Sequence, residues 1–225
     1  MGKREIERGR GIVMNNCPFC NGNRKRFLEE NNYKVKEMYF FENEKFSISP
    51  DLSPLVCGHL LVIPTVHYAS FGELTDINML RDIQLKAEEL LGTDDLLYFE
   101  HGAVIESQGG ASVDHAHLHV MPRPKDLTKE NIDFYIASSG CVHSQKSSGS
   151  HDILNTFYKN KQPYIYYKIQ NEEYSYSVNL IPHQFLRKMM QKYTTLSYNW
   201  RETCLTDECH SKVSESIEYV RTHRK

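Results

Sequence analysis

The 225-residue sequence predicts an α+β domain. Three observations predict it: short apolar runs bounded by turn residues, one longer segment with helical apolar spacing between two such runs, and short connections throughout. Lys34 to Phe41 reads as a strand, with Lys45 to Ile48 as its partner after a short turn. Asp51-Leu52-Ser53-Pro54 has turn composition. Leu60 to Ile63 is a compact apolar run closed by Pro64, as suits a buried strand. Residues 73 to 91 carry apolar side chains at 77, 80, 83, 87, 90 and 91, one face of a helix, and Gly92 follows as its stop. Leu96 to Phe99 reads as a short strand, Ser107 to Gly110 as a loop, and Val113 to Met121 as a strand ending at Pro122.

Beyond Pro124 the character changes. Ser138 to His151 is rich in Ser and Gly and reads as a mobile loop or lid. Tyr164 to Ile169 and Tyr174 to Val178 are tyrosine-rich strands around an Asn171-Glu172-Glu173 turn. Residues 184 to 193 again show a helical apolar face, and the charged last 25 residues read as helix. The chain therefore divides into a polar segment 1–14, a principal domain 15–124, and an extension 125–225 that completes or covers it.

Composition narrows the class. Hydrophobic residues make up 40% and charged residues 25%, and no run of 18 apolar residues exists to span a membrane. The basic start lacks the apolar stretch of a signal peptide, so a reducing, cytoplasmic setting is expected. A formal charge of −2 argues against a dedicated nucleic-acid binder, and the basic run Asn23 to Arg26 reads as a solvated turn. Six cysteines stand at 17, 20, 57, 141, 204 and 209; in such a chain they read as metal ligands or buried thiols rather than disulfides.

The chemistry concentrates in Asp114-His115-Ala116-His117-Leu118-His119-Val120-Met121. Successive strand side chains alternate between faces, so His115, His117 and His119 share one face and Ala116, Leu118 and Val120 the other. The preceding Gly109, Gly110 and Ser112 supply N–H and O–H donors suited to a phosphate. Upstream, Cys17-Pro18-Phe19-Cys20 is a C-x-x-C knuckle able to place two thiolates on one metal. His67 and His115 are candidates to complete a closed, structural Cys2His2 zinc site; a redox pair or two buried thiols are the alternatives.

These residues resemble the histidine-triad (HIT) superfamily, whose signature alternates histidine with hydrophobic residues as His115 to Met121 does. Asp51 to Pro54 and Gly58 to His67 look like its second motif, and Cys17 to Cys20 like its zinc-containing branch. The resemblance spans residues 15 to 124 and continues weakly through Gln184 to Lys188 and Asn199 to Arg201. It implies an antiparallel sheet with flanking helices. It also implies His117 as nucleophile; His59, His119, Ser112 and Gly110 as phosphate contacts; Asp51 as the ribose-binding acid; and Cys17, Cys20, His67 and His115 as zinc ligands. A nucleotide or dinucleotide substrate follows from it, as does a homodimer. Ala111 and Asp114 depart from the usual pattern, which carries glutamine at the first position and a bulkier residue at the second. His119, where uridylyltransferases show glutamine, points to the hydrolase side.

The expected chemistry is attack of a neutral His117 on the α-phosphorus, with the other ring nitrogen donating to a carbonyl oxygen, followed by hydrolysis of the nucleotidyl-histidine. Two alternatives stand beside it: a metal-dependent hydrolase with the three histidines as ligands, and a nucleotide-binding regulator with little turnover. Cys204, Cys209, His210 and His223 have poor spacing for a second zinc site and read as incidental; Cys141 and His143 read likewise. His101 reads equally as a pocket residue or a structural histidine.

Overall fold

The computed structural model describes residues 17–76, 78–105, 113–140, 142–148, 151–179, 182–194, 199 and 205–225. The first helix, α1 (Asn21–Glu30), follows the Cys17–Cys20 knuckle. Strands β1 (Phe41–Glu42), β2 (Phe46–Pro50) and β3 (Leu60–Pro64) come next, then α2 (Met79–Leu91), β4 (Leu96–Gly102) and β5 (Leu118–Pro122). The remainder forms α3 (Lys129–Ser138), β6 (Val142–Ser148), α4 (His151–Lys159), β7 (Tyr164–Ile169), β8 (Glu172–Val178), α5 (Phe185–Met190) and α6 (Asp207–His223). This is an α+β fold: eight strands make one sheet in the order β1-β2-β3-β5-β4-β7-β8-β6, and every neighbouring pair is antiparallel.

Strand periodicity sorts the core into two layers. On one face Ile48, Leu60, Val62, Tyr98, Leu118, Val120 and Tyr166 pack with Leu80, Ile83, Ala87 and Leu90 of α2, Leu154 of α4 and Val220 of α6. On the other, Leu97, Phe99, Met121, Ile165 and Tyr167 pack with Ile132 and Ile136 of α3 and with Phe185, Leu186, Met189 and Met190 of α5. The second face has a polar end. Register sets Ser49, Leu61, His119 and Phe99 side by side there, and the imidazoles come from that row.

The predicted α2 stripe is buried at 80, 83, 87, 90 and 91. Gly92 ends the helix in the left-handed conformation (φ 66°), and a Cβ there would lie 2.1 Å from the His223 carbonyl oxygen at the end of α6. The tyrosine hairpin also forms, turning through Gln170 and Asn171 at positive φ.

Three readings change. Lys34 to Phe41 is mostly not a strand; Val35–Glu37 forms a 3-10 turn. Its charged residues leave Met38 as the fully buried side chain of the run, anchored with Leu28 and Val213, so a single anchor replaces an alternating face. The strand predicted over Val113 to Met121 begins only at Leu118. The backbone before it is otherwise engaged: Ala116 N–H donates to the Tyr68 carbonyl, and the His115 carbonyl accepts from the His117 ring. Within Ser138 to His151, read as a mobile loop, residues 142–148 form β6, paired with β8. The polar segment 1–14, Gly109, Gly110, Ala111, Ser112, Cys141, Trp200, Arg201 and Cys204 lie outside the described residues. No helix among the described residues is long and apolar enough to cross a membrane.

Candidate functional site

Two buried polar clusters flank His117. The first gathers Cys17, Cys20, His67 and His115, whose four candidate ligand atoms all lie within 4.8 Å of one another. Cys17 Sγ is 3.4 Å from His115 Nδ1, Cys20 Sγ is 3.4 Å from His67 Nδ1, and Cys20 Sγ is 3.9 Å from His115 Nδ1. A tetrahedral zinc, with bonds of about 2.3 Å to sulfur and about 2.0–2.1 Å to nitrogen, would space its donors about 3.3–3.8 Å apart. The residues fit that ion. His115 Nε2–H donates to the Pro64 carbonyl oxygen at 3.0 Å, which leaves the Nδ1 lone pair facing the thiols. Cys17 and Cys20 form no disulfide among the described residues. Four protein donors leave no open position for substrate, so this centre would tie the α1 knuckle, the loop after β3 and the entry to β5 together.

The second cluster is Asp51, His59, His119 and Arg187. It is held by hydrogen bonds whose directions fix each ring's tautomer. Leu55 N–H donates to His59 Nδ1 at 3.0 Å, so His59 is neutral and carries its proton on Nε2. That N–H donates to His119 Nδ1 at 3.0 Å, which in turn puts the His119 proton on Nε2. Asp51 Oδ2 lies 3.4 Å from His119 Nδ1 and 2.7 Å from Arg187 Nη1, and Arg187 Nη2 also donates to the Ser53 carbonyl oxygen. Asp51 Oδ1 accepts from Ser53 N–H at 2.7 Å, which makes the predicted 51–54 turn an Asx turn. Gly58 closes this loop at φ 79°, where a Cβ would meet the Tyr219 ring at 2.8 Å.

Burial sets the charge states. It pulls His59 down to about 4 and His119 well below the usual imidazole range. Burial alone would raise the Asp51 carboxyl, but Arg187 and the neighbouring histidines together hold it well below the usual carboxylate range. Asp51, His59 and His119 also have metal-ligand spacing. Here, however, the Arg187 guanidinium already supplies the cation, and a second would be repelled.

His117 stands between the clusters. Its Nδ1–H donates to the His115 carbonyl oxygen at 2.7 Å, leaving Nε2 with its lone pair. Its ring meets Phe19 edge to face at 5.2 Å and His119 at 5.2 Å, and His119 stacks on Phe99 at 4.5 Å. Burial lowers the His117 pKa, which keeps the ring neutral. The three triad histidines do not converge on one point. His115 turns toward the thiols, His119 toward His59 and Asp51, and His117 toward neither.

Every expected site residue within the described part, namely Cys17, Cys20, Asp51, His59, His67, His115, His117 and His119, belongs to one of these groups; Gly110 and Ser112 lie outside the described residues. The sequence reading missed Arg187, noted only as part of a weak pattern, and Arg24, read as a solvated turn but buried against Ser49 Oγ. The available signal for Arg187 was a cation inside the apolar run Phe185 to Met190. His101 is a buried neighbour of this region whose Nε2 accepts from Leu186 N–H at 3.1 Å. Cys209, His210 and His223 form no metal-ligand group among the described residues. Cys209 donates to the Leu52 carbonyl, while His210 and His223 stack on Tyr33 and Tyr219.

Comparison with known proteins adds to this geometry. Residues 25–133 match the model of the family described as "Scavenger mRNA decapping enzyme C-term binding". Protein HitA of Neisseria gonorrhoeae is 30% identical over 114 residues, which cover 49% of this chain and 99% of HitA. Adenosine 5'-monophosphoramidase hnt1 of Schizosaccharomyces pombe is 32% identical over 78 residues, 34% of this chain and 56% of that protein. Among solved structures, a HIT family hydrolase from Clostridium thermocellum aligns at 22% identity and a TM-score of 0.38, covering 52% of this chain and 98% of its own.

Proposed function

Because the chain belongs to the histidine-triad superfamily, we propose that it is a nucleotidyl hydrolase or transferase acting on the α-phosphorus of a nucleotide through His117. The observation that carries this reading is the His117 ring, whose Nδ1–H is committed to a carbonyl oxygen and whose Nε2 keeps its lone pair. A neutral nitrogen approaches an anionic phosphorus centre without charge repulsion. Nε2 forms a bond to phosphorus as the bond to the leaving group breaks, and the leaving group departs with the electron pair and takes up a proton. Water then attacks the nucleotidyl-histidine and gives up a proton to solvent, balancing the one the leaving group took from solvent; the P–N bond returns its pair to Nε2, and a nucleoside monophosphate leaves.

In this reading His119 Nε2–H donates to a phosphate oxygen, His59 orients His119, and Asp51 accepts from ribose hydroxyls; Ser112 and Gly110 are further phosphate donors. Cys17, Cys20, His67 and His115 would hold zinc, which supplies structural cross-linking and no catalysis. A nucleoside 5'-phosphoramidate is the first substrate class to try, given the phosphoramidase relative. A homodimer and a reducing, cytoplasmic setting belong to the same reading. The decisive test is trapping: wild type incubated with a nucleoside phosphoramidate should yield a nucleotidyl adduct mapped to His117 by mass spectrometry. An adduct elsewhere, or turnover surviving in His117→Ala, would overturn the assignment.

A further inference from the structure

Four rings form a chain of contacts through the candidate site. Phe99 stacks on His119 with centroids 4.5 Å apart, and His119 meets His117 at 5.2 Å. His117 in turn meets Phe19 at 5.2 Å, with an interplanar angle of 83°. Phe19 also borders the His115 ring at 6.1 Å. Because Phe19 stands between Cys17 and Cys20, the knuckle that carries the two thiols also carries this ring to His117.

The His117 side chain makes one hydrogen bond among the described residues, from Nδ1–H to the His115 carbonyl oxygen. That bond fixes one atom of the imidazole and leaves the ring able to pivot about it. Nε2 lies across the ring from Nδ1, so a pivot displaces the nitrogen that would react. The edge-to-face contacts with Phe19 and His119 supply the missing restraint.

Arg24 backs this contact. Its guanidinium carbon lies over the Phe19 ring at 5.1 Å from the centroid, and the residue is 2% exposed. Neutral groups hold it: Nη2 donates to Ser49 Oγ of β2, and the Tyr39 hydroxyl oxygen accepts a further hydrogen bond. The carboxylate within electrostatic reach, Asp51, is paired with Arg187 instead. Burying a charge among neutral partners is costly, and an aliphatic side chain would fill the space without that cost. What an aliphatic chain could not supply is a cation anchored to the sheet and attracted to the ring face.

We infer that Phe19, backed by Arg24, is a positioning residue: it holds the His117 plane so that Nε2 stays directed at the phosphorus. The inference rests on the nucleotidyl reading above and adds a residue that acts through the nucleophile. A displacement of about 1 Å at a reacting atom lowers a rate by about 10²-fold, so a modest pivot is enough to matter.

The test uses the full-length, zinc-loaded protein with two readouts: steady-state hydrolysis of adenosine 5'-phosphoramidate, and two-bond 1H–15N correlations of the His117 ring, assigned by their loss in His117→Ala. Wild type should show the Nδ1–H tautomer alone. Phe19→Leu should show both tautomers, with kcat lower by at least about tenfold, KM within about threefold of wild type, and one zinc per chain retained. Phe19→Tyr keeps the aromatic ring and should restore the single tautomer and most of kcat. Arg24→Gln leaves the knuckle intact and should shift both readouts the same way by a smaller amount. A single tautomer and wild-type kcat in both Phe19→Leu and Arg24→Gln would overturn the positioning role. So would a lower kcat that Phe19→Tyr fails to rescue. Absence of any nucleotidyl adduct in wild type would overturn the nucleotidyl reading itself; the tautomer comparison needs no turnover and separates the two failures.

Discussion

The two polar clusters on either side of His117 are built from similar parts and do opposite things. Each joins residues distant in sequence, and each sits in the interior. The Asp51 cluster contains its own cation, Arg187, and its hydrogen bonds run in one direction from Leu55 N–H through His59 to His119. The Cys17 cluster has two thiols, each 3.4 Å from an imidazole nitrogen, and no arginine or lysine among its members. Four such donor atoms, all within 4.8 Å of one another, have the spacing and chemistry to share one ion. Charge inventory, rather than residue type, separates a metal site from a self-sufficient network here.

The largest effect should come from emptying the first cluster. Chelation, or Cys17→Ser, should lower the thermal midpoint sharply and slowly, with a loss of several kcal/mol, and atomic emission should count one zinc per chain. Rapid, reversible inhibition of a protein with an unchanged melt would instead make the metal catalytic. Next in size is His117→Ala, which should cut turnover at least about 10³-fold with an unaltered circular dichroism spectrum.

Removing the internal cation of the second cluster should come third. Arg187→Ala leaves the Asp51 carboxylate buried and unpaired, at about 3–5 kcal/mol by urea denaturation. Adding Asp51→Asn should restore part of that loss; a double variant no more stable than the single one would contradict a paired charge.

The smallest effect is pH dependence. His59 and His101 have folded pKa values near 4 and 3, both pulled down chiefly by burial, against about 6.5 when unfolded. The unfolded chain therefore binds more protons between about pH 6.5 and 4, and stability should fall as pH falls through that window. Glu100 works in reverse. Burial raises it to about 7, so its contribution is lost as pH rises from about 4.5 through 7. His119 and His117 are lowered by burial in the same direction, so the histidines outweigh the one glutamate and stability should fall on acidification through the shared range. Glu100→Gln should steepen the slope, and urea midpoints at pH 4.5, 5.5 and 6.5 would measure both.

Where one periodic pattern controlled the geometry, the sequence was readable. Alternation from His115 to Met121 told which side chains enter the core, although the ladder begins three residues later than the first histidine. The apolar stripe of α2, its glycine stop and the tyrosine hairpin were readable for the same reason. Elements with thin stripes escaped. In α1 only Leu28 is a fully buried apolar residue while Arg24 is buried too, so its face looks solvated. In α3 two isoleucines, Ile132 and Ile136, carry the packing. Strand β6 lies in a Ser-rich stretch that gives no apolar pattern to read. Arg187 was unreadable because its partner is Asp51, more than a hundred residues away; no local rule connects a helix of the extension to a turn after β2.

The position of β4 has a consequence for synthesis. Both of its neighbours, β5 and β7, are later in the chain than β4 itself. A ribosome moving at about 5–20 residues per second needs several seconds to travel from Gly102 to Ile169. Throughout that interval the nascent chain carries a strand that is buried along its whole length in the finished fold, with one unsealed edge. Holdase chaperones should meet this polypeptide chiefly during translation, and slowing of codons between the two strands should lower its soluble yield without altering the finished protein.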